Sequence, residues 1–178
     1  MTLPASNKIQ TAGVHKLKYV TIEWLQKRGV TLQDIAQLVL EIQLKYVPHL
    51  TIEECLESVD RVLDKREVQN AVFTGLSLDE LAEQGRITEP LLGMLRRDDG
   101  LYGIDEVLAL SIVNIYGSIG LTNFGYLDKV KLGIIGTVND HKGKEVNTFL
   151  DDIVAAIAAA AAARIAHRAR DMEAQNLA

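Results

Sequence analysis

The residues best equipped for chemistry lie between positions 101 and 157. Asp105-Glu106, Asp128 and Asp151-Asp152 stand beside the most apolar runs of the chain, and Lys131 follows Asp128 by one helical turn. An unpaired carboxylate is costly to bury, so acids bordering a future core need a partner. Five carboxylates and a lysine are the parts of a magnesium site that handles a phosphate. Magnesium takes hard oxygen ligands, typically a few carboxylates completed by substrate phosphate oxygens and water. The same acids also suit three ordinary helix starts, where the positive end of the helix dipole favours Asp and Glu. Spacing alone leaves both readings standing.

Positioning these groups falls to helices. Three times the chain carries a hydroxyl with an acid three residues on, bracketed by apolar residues: Thr31 with Asp34, Thr51 with Glu54, and Ser77 with Glu80. Each can form a capping box, the hydroxyl accepting from the third helical amide while the acid reaches back, and the flanking apolar pair forms a hydrophobic staple. Apolar residues recur at helical period after each start, and no segment of strand period competes. The sequence therefore predicts an all-α bundle of about seven to nine helices. A loose tail is expected over 1–14, a single helical domain over 15–170, and a frayed end over 171–178. A helix is expected after Thr51 to about Phe73, a short one over 77–84, another over 91–97, and a turn at Asp98-Asp99-Gly100. The helices beginning at Ile104 and Glu145 should be central, the first because it has few polar positions, the second because it is rich in alanine.

Composition narrows the partners. The 178 residues carry a formal net charge of −5, which argues against broad binding to nucleic acid. The single cysteine, Cys55, falls at an apolar helix position and reads as buried filler. Residues 107–127 lack formal charge but are interrupted by Asn114, Gly117, Ser118, Gly120, Thr122 and Asn123, and so do not read as a membrane span. No signal peptide is visible, which predicts a cytoplasmic location, with peripheral contact at a membrane surface left open. The apolar run at 107–119 and the alanine-rich helix together predict a homo-oligomer.

Rival constellations are weaker. Glu53, Glu57, Asp60, Asp64 and Glu67 share a helix face, as the carboxylates of a helical nucleotide pyrophosphohydrolase do, but interleaved Arg61, Lys65 and Arg66 favour a solvated, salt-bridged face. His15, His49, His141 and His167 lack the paired helical spacing of a zinc site.

The ordered set Asp105-Glu106, Leu127-Asp128-x-x-Lys131 and Leu150-Asp151-Asp152-Ile153-Val154-Ala155 resembles the phosphatidylglycerophosphatase A family. The chain as a whole resembles its soluble Gram-positive branch, which includes proteins called low-temperature requirement C. Leu132 stands where the family has a proline, and Asn147 where a glycine is expected. The resemblance implies a magnesium-dependent phosphomonoesterase that removes the terminal phosphate of phosphatidylglycerophosphate. Its substrate would be a phospholipid phosphate or a small phosphomonoester. Asp105, Glu106, Asp128, Asp151 and Asp152 would share metal binding and the positioning of water, with Asp105, Asp128, Lys131 and Asp151 as the catalytic set. Lys131 would hold a phosphate oxygen as a point charge. The alternatives are a non-catalytic helical assembly protein and a helical nucleotide pyrophosphohydrolase.

Overall fold

A computed structural model describes residues 14–140 and 143–176. Among them lie nine α-helices and no strand: α1 (Val14–Lys27), α2 (Leu32–Gln43), α3 (Ile52–Val62), α4 (Arg66–Glu83), α5 (Leu91–Arg97), α6 (Ile104–Val113), α7 (Gly117–Val130), α8 (Gly133–Asn139) and α9 (Leu150–Asn176). A 3-10 turn, Asn114–Tyr116, joins α6 to α7. The tail expected over 1–14 falls outside the described residues except for Val14, which opens α1, and so do His141 and Lys142 of the polar loop.

Local signals place the first helices. Thr31 and Asp34 form a complete capping box on α2, and Thr51 and Glu54 form one on α3. The third expected cap does not form, because Ser77 lies inside α4 rather than at a helix start. The preceding turn has no proline to break it, so helix simply continues through the motif. The helix expected to reach Phe73 instead ends at Val62, and the Gln69 amide donates to the Leu63 carbonyl across the turn at 2.8 Å. No residue type marks that break.

Helix α9 is the axle of the bundle. Every residue from Leu150 to Ala163 is buried, and α2, α3, α4, α6, α7 and α8 all pack against it. Alanine side chains let these backbones approach; the Ser58 hydroxyl even donates to the Ala161 carbonyl at 2.9 Å. Gly75 on α4 serves the same purpose at the other end. A Cβ there would come within 2.9 Å of Phe149 Cβ, closer than packed carbons allow. The helix expected from Glu145 begins later, at Leu150, because a polar segment ahead of it is tied down by side chains. At its far end α9 continues to Asn176, past the Asp171 boundary where fraying is expected. Ala, Met, Glu and Gln there are good helix formers.

The helix from Ile104 departs from expectation. It stops at Val113 and breaks at the 3-10 turn, after which Gly117 takes φ +71, a conformation cheap only for glycine. Nor is it wholly central. Asp105, Ala109, Ile112 and Val113 face the core, while Ile104, Val107 and Leu110 face outward. Past Asp105-Glu106 its only polar side chain is Ser111, so α6 has two largely apolar faces and only one is covered. Cys55 is buried as expected, and its thiol is pushed up to about 11, chiefly by that burial. The acidic face of α3 is salt-bridged: Asp60 and Asp64 meet Lys18 at 2.6 and 3.0 Å, and Glu57 meets Arg168 at 3.8 Å.

Candidate active site

Three helix ends deliver the acids to one place. Helices α6 and α9 begin there, with Asp105-Glu106 and Asp151-Asp152 in their first turns, and α7 ends there with Asp128. Lys131, just past α7, takes φ +52, a left-handed pose that costs a side-chain-bearing residue roughly 1 kcal/mol. Gly136 accommodates that turn: a Cβ on it would lie 2.5 Å from the Lys131 carbonyl oxygen.

Lys131 is the centre of the cluster. Its Nζ lies 2.7 Å from Asp128 Oδ1, 2.7 Å from Asp151 Oδ2 and 3.6 Å from Asp152 Oδ1. Asp105 and Glu106 are a second tier. The Glu106 N–H donates to Asp105 Oδ1 at 3.0 Å, the Asp105 charge bears on Asp152, and the Asp128 charge bears on Glu106. Thus all six residues singled out from the sequence gather at one end of α9. Among the described residues, however, no three carboxylates surround a common point as a metal shell does. The ammonium of Lys131 holds the centre instead.

Electrostatics show a site short of positive charge. Burial pushes the Asp152 carboxyl up to about 8, and the charges of Asp151, Asp128 and Asp105 add to the rise against the pull of Lys131. Burial also raises Asp151, despite its contact with Lys131. Asp105 and Glu106 are raised for the same first reason, Glu106 further by Asp105 and Asp128. Burial works against the Lys131 ammonium, but Asp151, Asp128 and Asp152 outweigh it and hold the group above its ordinary value. One lysine cannot neutralise five carboxylates. A hard dication suits both the oxygen donor set and the excess charge.

Several further residues matter here that the sequence presents as something else. Asp79, part of the expected third cap, is fully buried on α4, and its carboxylate accepts from the Phe149 N–H at 3.2 Å and the Leu150 N–H at 3.1 Å. It caps α9 from another helix. Burial pushes Asp79 up to about 8, against the pull of those amides and of Arg28. Arg28, in sequence only the end of a helix, donates to the Val146 carbonyl and to Asn147 Oδ1, both at 2.7 Å, and pairs with Glu83 at 2.6 Å. Glu83 in turn accepts from the Val146 N–H, and Asn147 donates to the Val138 carbonyl. Together they fix the non-helical residues ahead of α9. Asp98, in sequence a turn residue, adds its charge to Asp105 and Asp151. One signal for Asp79 is present in the sequence: it continues the apolar face of Val72 and Leu76, where an acid demands a partner.

Fold and site together define an all-α protein whose buried acids surround one lysine at the N-terminal end of its central helix. Residues 18–167 match the profile of the phosphatidylglycerophosphatase A family, and the chain belongs to that family. It is 61% identical to the uncharacterized protein YutG of Bacillus subtilis (strain 168) over 84% of this chain and 90% of that protein. Its fold is similar to the crystal structure of YpjQ from Bacillus subtilis, with TM-score 0.87 and 53% identity over 90% of this chain and 99% of that one. It is also similar to the low temperature requirement C protein of Listeria monocytogenes, with TM-score 0.84 and 57% identity over 86% of this chain and 97% of that one.

Proposed function

We propose that this chain is a magnesium-dependent phosphomonoesterase that removes the terminal phosphate of phosphatidylglycerophosphate. The observation that carries the reading is the gathering of Asp128, Asp151 and Asp152 about Lys131, with Asp105 and Glu106 close enough for their charges to bear on that group, within a chain of the phosphatidylglycerophosphatase A family. Asp105, Glu106, Asp128, Asp151 and Asp152 would hold the ion. Magnesium there would neutralise charge on the phosphoryl group and acidify water, chemistry well matched to a monoester dianion.

The chain's own groups supply the rest. Lys131 is kept protonated by its neighbours, and its Nζ is held 2.7 Å from both Asp128 and Asp151. With those carboxylates turned to an ion, its ammonium would serve as a point charge for a phosphoryl oxygen. The N-terminal turn of α9 favours an anion through its dipole, while Asp79, Arg28 and Glu83 keep that turn in place. Preorganised charges of this kind stabilise a phosphoryl transition state without reorganisation at the moment of reaction.

A second reading, a helical protein whose acids serve only to pair with Lys131, draws support from the absence of a converging ligand set among the described residues. Thermal scans separate the two. Magnesium should raise the melting temperature of the native protein, because a ligand bound only by the folded state stabilises it. Asp151→Asn and Asp128→Asn should respond far less. Equal small responses in all three proteins would return these acids to structural roles.

A further inference from the structure

We propose that the outer face of the α6–α7 hairpin docks on a phospholipid bilayer and sets the acid cluster against it; the direction of docking rests on the phosphatase reading. The run Ile104–Val130 is apolar enough to cross a membrane by length and composition, its most apolar 18-residue window having mean hydropathy 1.5, yet the 3-10 turn and Gly117 fold it back on itself. Only 28% of its most apolar window is buried in the protein. Ile104, Val107 and Leu110 form a helical stripe facing outward on α6, and Tyr126 and Val130 face outward on α7. Leu101, in the turn just before α6, is 97% exposed. The outward face of α3 carries Glu53, Glu57 and Arg61, whereas residues 107–127 carry no charge. An uncharged, largely apolar outer face of this kind marks an interaction surface.

Its position and its rim identify the occupant. Ile104 adjoins Asp105, and Val130 lies in sequence between Asp128 and Lys131, so the apolar surface begins at the edge of the acid cluster. Lys129, in the last turn of α7, stands exposed at that same end; Arg97, at the end of α5, is also exposed but pairs with Asp99 at 3.8 Å. Tyr126, one turn from Lys129, has the amphipathic form suited to an interface, and the lysine stem can lie on apolar surface with its charge outward. Cations beside an apolar face match anionic headgroups above acyl chains. In a symmetric contact of this face, a second copy would set no acid between 107 and 127 against Lys129. The net charge of −5 opposes general attraction to an anionic membrane, so apolar insertion must supply most of the binding.

Flotation of the full chain with vesicles of phosphatidylethanolamine and phosphatidylglycerol tests this. The native protein should float with the lipid. Leu101→Ser and Val107→Ser, both at exposed positions, should each raise the lipid concentration for half-binding roughly tenfold or more. Both variants should keep the native fold and the native melting response to magnesium. Three outcomes overturn the proposal: native protein that never floats, flotation unchanged in both variants, or a light-scattering mass that drops on substitution and so assigns the face to a second copy. The phosphatase reading fails separately: a native protein that floats but whose melting ignores magnesium supports docking and removes the metal.

Discussion

Replacing Asp152 by asparagine tests the electrostatic account of the site through stability alone. The Asp152 side chain is 5% exposed and 3.6 Å from Lys131, with Asp151, Asp128 and Asp105 as like-charged neighbours. Its carboxyl is pushed up to about 8 in the folded protein, against about 4 in an unfolded chain. Between those values the folded state keeps a proton that the unfolded state has released. Stability of the metal-free protein therefore falls as pH rises from about 4 to about 8 and levels off above. Each pH unit across that interval is worth about 1.4 kcal/mol, and the whole interval sets an upper bound of roughly 6 kcal/mol that relaxation reduces. Asp152→Asn should remove this slope and, by unloading one like charge, leave the metal-free protein about 1 to 3 kcal/mol more stable than native near pH 8. Asp79, also raised to about 8, contributes equally to both proteins, so the difference isolates Asp152. The assay is urea unfolding at a series of pH values in chelator, repeated with magnesium. With magnesium the order should reverse, since only the native acid set binds it well. Native and variant curves that stay parallel across the pH range would refute the reasoning.

Asp79→Ala leaves two buried N–H groups without an acceptor and should lower stability by about 2 to 5 kcal/mol; Asp79→Asn, which retains an acceptor, should recover much of it in the same unfolding assay. Gly75→Ala forces a Cβ against Phe149 and should cost about 1 to 2 kcal/mol despite the better helix propensity of alanine, read as a fall in melting temperature. Thr51→Ala loses the capping box of α3 and should cost about 1 kcal/mol while leaving the magnesium response unchanged, since that helix start is remote from the acids.

What was legible in the sequence was local or periodic. The Thr31 and Thr51 boxes form because hydroxyl and acid lie three residues apart and need nothing else. The alanine run announces a helix, and its small side chains an enclosed one, as α9 is. The five acids and Lys131 can be grouped by their order along the chain and its family resemblance, although what brings them together is packing on α9. The failures are long-range. Ser77 and Glu80 have the local form of a cap, but α4 runs through them and turns the neighbouring Asp79 to the Phe149 and Leu150 amides, partners about 70 residues away. The break between α3 and α4 has no punctuating residue. The apolar surface of α6 dictates its helicity without telling which side is covered.

The most direct measurement is phosphate release from phosphatidylglycerophosphate by the full chain, with magnesium and with chelator, beside Asp151→Asn. Asp151 is held by Lys131 at 2.7 Å and is buried at the start of α9. The account predicts release by the native protein that depends on magnesium, is abolished by chelator and falls at least about a hundredfold in the variant, the scale of losing a principal charge-stabilising group. Release that persists in chelator, or that is equal in native protein and Asp151→Asn, would contradict it.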